Sequence, residues 1–183
     1  MKIAFIGTHG VGKTTLCYEL AAALKRLDLS VDLVKEVARR CPLPINRDTT
    51  DRAQRWILHT QIADEIELEP LYDVIVCDRA VLDNYAYLVN ASGRQQDLEP
   101  LIRAWMDTYQ VLVKVPIVAP PRFDGTRDVS VAFQQSVDRL LDSLLAEFAL
   151  PILRLPAADR SAWVPAVLQA LRLPPRAPQL DLF

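Results

Sequence analysis

The chain has 183 residues, a normal length for one α/β domain. Its composition is 51% hydrophobic and 24% charged, which is ample for a sizeable core and ordinary for a soluble protein. The formal net charge of -2 excludes a global basic field, so we expect no direct binding to nucleic acid.

The first predicted element is a buried strand, because Lys2–Ile6 is a compact, β-rich apolar run. The run stops at Gly7 and is too short for a signal-peptide core or a membrane span. No later run escapes charge for long enough to span a membrane. We therefore expect a cytoplasmic protein with no membrane partner.

The first strand leads into a phosphate-binding sequence. Residues 7–14 read Gly-Thr-His-Gly-Val-Gly-Lys-Thr, which fits G-x-x-x-x-G-K-[ST] fully, and they open a helix predicted from Thr14 to about Leu27. Glycines let backbone N–H groups turn inward around phosphates, and the helix N-terminus adds positive potential. We expect Lys13 to face solvent in the empty loop and to reach the β- and γ-phosphates, while the Thr14 hydroxyl ligates Mg²⁺. The predicted nucleotide contacts are Gly7, Thr8, His9, Gly10, Val11, Gly12, Lys13, Thr14 and Thr15.

Two more strands enclose a long helix. The second strand is predicted at Val31–Val34, and a helix capped by Thr49 or Thr50 is predicted from Asp51 to about Leu68. The third strand, Tyr72–Asp78, is a nearly continuous apolar run, which indicates burial on both faces as in a parallel sheet. The predicted apolar face of the helix consists of Ala53, Trp56, Ile57, Ile62, Ala63 and Ile66.

The rest of the chain continues the alternation of helices and strands. We predict helices at Asp83–Val89 and Leu98–Tyr109, a strand at Val111–Val118, a helix capped by Ser130, a strand at Ile152–Leu155 and a helix from Ser161 to about Leu173. This order specifies a five-stranded parallel sheet flanked by helices, with right-handed crossovers. We predict one α/β domain, residues 1–173, and a Pro-rich tail, residues 174–183.

Two carboxylates stand at the ends of predicted strands, and each has an arginine nearby. Asp78 is followed directly by Arg79, and Glu36 by Arg39 three residues later. Ligands of open α/β sheets bind beyond the carboxyl ends of the strands. An isolated acidic residue after a strand is usually a solvated loop residue, but these positions converge on one crevice beside the phosphate loop. We therefore predict that both carboxylates are functional.

These motifs resemble a known family. Residues 34–39 resemble the segment of deoxynucleoside kinases in which a strand-end glutamate serves as base. Residues 78–80 resemble the acid-Arg-Ser signature of that family, with alanine in place of serine, and the Asp-Arg signature of thymidylate kinases. Gln54 and Gln61 lie on a helix similar to the one whose glutamine reads the nucleobase, and residues 122–128 resemble an arginine-bearing lid. The same order of motifs also occurs in small bacterial proteins grouped as ATP-binding, kinase-like P-loop proteins.

The resemblance implies a P-loop NTPase fold of the nucleoside or nucleotide kinase type, with ATP and Mg²⁺ as cofactors and a small nucleoside or nucleotide-like substrate. It assigns Asp78 to magnesium, Glu36 to the proton of the acceptor hydroxyl, and Arg79 to orienting the acceptor or Glu36. Arg122 or Arg127 would close over the γ-phosphate. The remaining candidate substrate contacts are Arg39, Gln54 and Gln61.

Other functions stay open at this point. A nucleotide-binding switch or a bare ATPase would share the phosphate loop. A GTPase would need an Asn-Lys-x-Asp segment after the fourth strand, where residues 113–116 read Val-Lys-Val-Pro. An AAA-type ATPase would need a strand ending in Asp-Glu and a second arginine-bearing domain, and neither is found in the sequence. Among kinases, a nucleoside, a nucleoside monophosphate and nicotinamide riboside are all compatible acceptors; Arg47, Arg52 and Arg55 could bind a monophosphate.

The C-terminal tail carries a short motif that the kinase resemblance does not explain. Its last residues read Gln-Leu-Asp-Leu-Phe, after a Pro-rich segment that should stay extended. They resemble the peptide by which bacterial polymerases and repair proteins bind the replication sliding clamp. The alternative is that the tail packs on its own domain or on a neighbouring protomer of a homodimer. The motif residues are Gln179, Leu180, Leu182 and Phe183.

Overall fold

The computed structural model describes residues 1–45, 49–121 and 130–173, and within them five parallel strands form one sheet. The strands are β1 (Lys2–Ile6), β2 (Val31–Val34), β3 (Val74–Cys77), β4 (Val111–Lys114) and β5 (Leu153–Arg154), in the spatial order β2-β3-β1-β4-β5. The helices are α1 (Lys13–Lys25), α2 (Asp51–Leu68), α3 (Val81–Ser92), α4 (Glu99–Met106), α5 (Val131–Glu147) and α6 (Trp163–Leu171), with a 3₁₀ turn at Val37–Arg40. The predicted five-stranded parallel sheet is confirmed.

Strand β1 lies at the centre of the sheet, between β3 and β4. All of its residues are buried, and they alternate between the two faces of the sheet. Ala4 and Ile6 join the core beneath α2, α3, α4 and α5, whereas Ile3 and Phe5 join the core beneath α1 and α6. Because β1 is central, the loop that follows it emerges in the middle of the carboxyl edge, close to the ends of β3 and β2.

Some element ends differ from the prediction. Helix α3 begins at Val81 rather than Asp83, because the Asp83 carboxylate accepts a hydrogen bond from the Ala80 N–H at 3.0 Å and caps the first turn. Strand β4 ends at Lys114 rather than Val118, since Pro116 has no N–H with which to extend the ladder. Within the described ranges, no helix combines the length and the apolar character needed to cross a bilayer.

Helix α2 has the predicted bounds, and the Thr50 side chain caps it by accepting from the Ala53 N–H at 3.2 Å. Its buried face is only partly the predicted one: Ala53 and Ile57 are buried, but Ile66 is 54% exposed. Three polar residues, Gln54, Gln61 and Glu65, are buried instead. The reason is that Glu65 meets a set of donors, one on α2 itself and three from other parts of the chain, which compensates for burying a charge. These donors are Lys2, Gln61, Trp105 and Tyr109.

Candidate functional site

The phosphate loop joins β1 to α1, and its glycines are required by backbone geometry. Gly10 and Gly12 have φ values of 76° and 93°, which L side chains rarely adopt. A Cβ at Gly10 would lie 3.2 Å from Pro121, and one at Gly12 would lie 2.7 Å from Arg160 Nη2. No described side chain caps the N-terminus of α1, so its first N–H groups are available to an anion.

The Lys13 side chain is folded beneath this loop. Its Nζ donates hydrogen bonds to the carbonyl oxygens of Gly7 and Thr8, both at 2.7 Å, and the residue is 5% exposed. Burial, followed by repulsion from Arg79, lowers the pKa of Lys13 to about 8. The expectation that Lys13 faces solvent in the empty loop was therefore wrong, because the loop carbonyls provide partners that draw the ammonium group inward.

The sequence interpretation did not single out Asp83, which contacts the phosphate loop. Its Oδ1 accepts from the Gly7 N–H at 2.9 Å, and its Oδ2 accepts from the Ala80 N–H, so one carboxylate fixes both the start of the phosphate loop and the start of α3. Burial raises the pKa of Asp83, while Lys13 and Arg79 act in the opposite direction. The available signal was an acidic residue at the third helical position after Asp-Arg-Ala, where a carboxylate commonly caps a helix.

Thr14 and Asp78 meet at the end of β3. The Thr14 hydroxyl donates to Asp78 Oδ2 at 2.5 Å, and Asp78 is 3% exposed. Mg²⁺ prefers oxygen ligands and is usually held by one or two protein groups together with substrate phosphates and water. This pair of oxygens fits that mode, whereas the described part of the chain has no group of three or more His, Cys, Asp or Glu side chains that could hold a metal alone.

Glu36, Arg79 and Arg39 come together as predicted from their positions after the strands. Arg79 donates from Nη2 and Nε to Glu36 Oε1 at 2.7 and 3.1 Å, and Arg39 donates from Nε to Oε2 at 2.9 Å. Glu36 and Arg79 are buried, whereas Arg39 is 41% exposed. The Arg79 backbone has a φ of 112°, and its carbonyl accepts from Gln61 Nε2 at 3.2 Å. A left-handed backbone at a non-glycine residue and a buried ion pair both cost stability, and such features cluster at functional sites of proteins.

A second residue missed by the sequence interpretation, Tyr87, lies between the phosphate loop and Arg79. Its hydroxyl accepts from the His9 N–H at 3.1 Å and lies 3.2 Å from His9 Nδ1. The Arg79 guanidinium carbon lies 4.8 Å from the centre of the Tyr87 ring. Nothing in the sequence singled out Tyr87, because a tyrosine in an apolar helix is usually a core residue.

The other predicted site residues are less closely associated with this cluster. Gln61 is fully buried and donates to Glu65 and to the Arg79 carbonyl, and Gln54 donates to Thr49 at 2.8 Å. Thr15 is exposed on the first turn of α1. The predicted residues that lie outside the described ranges are Arg47, Arg122, Arg127, Gln179, Leu180, Leu182 and Phe183.

Comparisons with known proteins bear on the family and the fold of the chain. The sequence profile of the AAA domain family (AAA_28) matches residues 2–162. No curated protein sequence matches the chain. The structure of deoxyadenosine kinase from M. mycoides with bound dATP is similar, with a TM-score of 0.62 and 16% identity over 94% of this chain and 100% of that chain. The same kinase with the products dCMP and a flexible dCDP gives a TM-score of 0.63 and 16% identity over 94% and 99%.

At this low identity, the likeness shows the fold alone, and it confirms the predicted P-loop kinase-like fold class. The expectation against an AAA-type ATPase rested on two absences from the sequence, a strand ending in Asp-Glu and a second arginine-bearing domain. The profile match shows that these absences do not exclude the AAA domain family. The match spans most of the chain and includes the phosphate loop, Glu36, Asp78 and Asp83. The chain therefore belongs to the AAA domain family and has the α/β P-loop fold of a nucleoside kinase-like protein.

Proposed function

We propose that this protein transfers the γ-phosphoryl group of ATP to a hydroxyl group of a small nucleoside or nucleotide-like acceptor. One observation carries the proposal: the buried Glu36 carboxylate is paired with Arg79 at the edge of the phosphate loop. Arg79 Nη1 lies 3.9 Å from Asp83 Oδ1, which accepts a hydrogen bond from the N–H of Gly7, the first residue of that loop. Phosphate binding alone does not need such a pair at the edge of the loop, whereas transfer to a hydroxyl needs a proton acceptor held close to the donor.

The donor half of the reaction depends on positioning and charge. Phosphoryl transfer requires little covalent chemistry from the protein. Lys13 and the N–H groups at the start of α1 would bind the triphosphate, since both attract negative charge. Thr14 and Asp78 would hold Mg²⁺, which when bound neutralises charge on the phosphate oxygens. Arg122 and Arg127 are proposed as further cations over the γ-phosphate.

The acceptor half centres on Glu36. Both of its oxygens accept hydrogen bonds from guanidinium groups, so the acceptor hydroxyl must replace one of them to reach the carboxylate. Arg39 is the partner that can be displaced, because it is 41% exposed while Arg79 is 5% exposed. The hydroxyl would then hydrogen-bond to Oε2, with Arg79 holding Oε1 and fixing the direction of the carboxylate.

The described arginines bear on whether the acceptor carries a phosphate of its own. Arg55, which could have bound a monophosphate, instead pairs with Asp51 and Asp97, both at 2.9 Å. Arg79 is held by Glu36 in the buried pair. Arg39, once the acceptor hydroxyl has displaced it from Glu36, could meet a phosphate, and Arg52 is exposed. A nucleoside and a nucleoside monophosphate are therefore both proposed as acceptors. We place the reaction in the cytoplasm, since the three cysteines, Cys17, Cys41 and Cys77, are free, as in a reducing compartment.

A panel of acceptors tests the proposal. Nucleosides, nucleoside monophosphates and nicotinamide riboside would each be incubated with ATP labelled in the γ-phosphate, with chromatography to separate labelled product from labelled phosphate. We expect label in at least one nucleoside product. Release of inorganic phosphate at the same rate with and without every acceptor would instead identify a bare ATPase, the alternative function of this loop.

We also propose a partner for the C-terminal tail, a bacterial sliding clamp. The support is the sequence of the last five residues, whose apolar anchors at Leu180, Leu182 and Phe183 suit a linear motif, with Gln179 setting the register through hydrogen bonds. A peptide of residues 174–183 should bind a bacterial clamp, and the same peptide with Leu182 and Phe183 changed to alanine should not. If the native peptide does not bind at high micromolar concentration, binding to a clamp is excluded and packing of the tail on the protein itself is favoured.

A further inference from the structure

We infer that Tyr87 is a positioning residue that ties the phosphate loop to the Arg79–Glu36 pair, so that the donor and acceptor halves of the site are held in one geometry; this inference rests on the proposed function. Two chemically different parts of the side chain make the two connections. The hydroxyl contacts the loop at His9, and the ring contacts the Arg79 guanidinium.

The connection to the loop is made through the backbone of His9, the third residue of the phosphate sequence. Its N–H donates to the Tyr87 hydroxyl at 3.1 Å, and its carbonyl accepts from Gln134 Nε2 at 2.9 Å. Gln134 is fully buried in the first turns of α5. Side chains from α3 and α5 therefore hold both polar groups of one loop residue, which fixes the orientation of its two peptide planes.

Helix α3 contacts the loop at two points. Asp83 and Tyr87 are four residues apart and so lie on the same face of the helix, one turn from each other. Asp83 accepts from the Gly7 N–H, and Tyr87 accepts from the His9 N–H. The spacing of one helical turn therefore sets the path of the loop between these residues, and Tyr87 supplies the contact nearer to its tip.

The connection to the acceptor half is made through the face of a guanidinium group. The Arg79 Cζ lies 4.8 Å from the centre of the Tyr87 ring, within the range of a cation–π contact. The edge of the same group donates twice to Glu36 Oε1. Because the guanidinium group is planar, packing its face against a ring restricts the directions in which its edge can donate. The ring thus helps to aim Arg79 at Glu36.

Since the hydroxyl and the ring have separate functions, they can be removed separately. Tyr87→Phe removes only the contact to the loop, and Tyr87→Leu also removes the surface beneath Arg79. Tyr85→Phe is the matched control on the same helix. The Tyr85 hydroxyl donates to Glu99 at 2.7 Å and accepts from the Gln95 N–H at 3.1 Å, so the control also loses a tyrosine hydroxyl but none that touches the loop.

The experiment uses the full-length protein and MgATP as the probe. Calorimetry gives the Kd for MgATP, and steady-state ATP turnover with the acceptor found in the panel gives kcat and KM. Tyr87→Phe should raise the Kd and KM for ATP about two- to tenfold, the factor that one hydrogen bond represents, with kcat unchanged. Tyr87→Leu should raise them at least as much and also lower kcat about two- to tenfold through Arg79. Tyr85→Phe should leave all three constants within twofold.

The outcomes separate this inference from the function on which it rests. Wild-type protein that fails to bind MgATP or to transfer its phosphate would overturn the proposed function, and the inference with it. Wild-type protein that binds and transfers, with Tyr87→Phe indistinguishable from Tyr85→Phe, would overturn the inference alone. A purely structural role for Tyr87 would lower the melting temperature without separating KM from kcat, and this too would overturn it.

Discussion

At the scale of single residues, the most informative group is Lys13, because its environment departs most from the expectation. The ammonium group is buried among loop carbonyls and near Arg79, and its pKa is lowered to about 8 from its ordinary value of 10.5. The unfolded chain therefore binds more protons at this site between about pH 8 and pH 10.5 than the folded chain does. Burial of the charged Lys13 lowers the free energy of unfolding, and this effect is fully present below pH 8. The free energy of unfolding rises as the pH increases through that window, because the folded protein loses the buried charge first.

This lowered pKa predicts a proton uptake linked to nucleotide binding. The triphosphate favours the charged lysine, so binding of MgATP should raise the pKa of Lys13 and take up about half a proton at pH 8. Affinity for MgATP should accordingly fall as the pH rises from 8 to 9.5. Titration calorimetry in buffers of different ionisation enthalpy measures the uptake directly. Binding with no proton exchange between pH 7.5 and 9 would contradict the burial of a functional Lys13.

Asp83 gives a second prediction at this scale. The Asp83 carboxylate accepts hydrogen bonds from two backbone N–H groups, and in Asp83→Asn one of these would face an NH₂ group. Lys13 and Arg79 would also lose a nearby negative charge. We expect the free energy of unfolding to fall by about 1–3 kcal/mol, the cost of a buried unsatisfied group. Urea denaturation would measure it, with Asp97→Asn as a control at an exposed ion pair. Equal stability of the two variants would show that Asp83 does not fix the loop.

At the scale of the elements, α2 shows what the sequence could and could not predict. Its bounds follow from local signals, the Thr50 cap and the helical periodicity, and they match the structure. Its rotation does not follow from local signals, because Glu65 is buried by partners that are distant in sequence. Lys2 comes from β1, and Trp105 and Tyr109 come from α4 and the turn after it. A pattern that counts only apolar residues therefore placed Ile66 on the wrong face.

The polar network of Glu65 predicts a large effect on stability. Four donors converge on its two oxygens, so Glu65→Gln would place an NH₂ group opposite two of them. We expect a loss of about 3–5 kcal/mol in the free energy of unfolding, as when one partner of a buried ion pair is removed. Glu69→Gln is the matched control, because Glu69 is 46% exposed and also binds Lys2, at 2.6 Å. Similar denaturation midpoints for both variants would show that the network is not needed for the packing of α2.

At the scale of the whole molecule, sheet topology explains why part of the site was predictable. Parallel strands end at one edge, and the order β2-β3-β1 places Glu36, Asp78 and the phosphate loop side by side. Asp83 and Tyr87 were not predictable in this way, because their roles depend on how α3 is rotated against the loop. The position of Lys13 in the phosphate loop was predicted, but its burial was not, since a sequence does not show which backbone carbonyls will meet an ammonium group.

The central claim is that Glu36 serves phosphoryl transfer rather than nucleotide binding. The most direct measurement compares wild-type protein and Glu36→Gln for both MgATP affinity and the transfer of labelled γ-phosphate to the acceptor found in the panel. Glutamine keeps the size of the side chain and one acceptor oxygen for Arg79, but it cannot take up the hydroxyl proton. If Glu36 accepts the hydroxyl proton, Glu36→Gln should leave the Kd for MgATP unchanged and lower the rate of transfer by about 10²- to 10⁴-fold. Equal losses in MgATP binding and in transfer, or a variant that transfers phosphate at the wild-type rate, would contradict this claim.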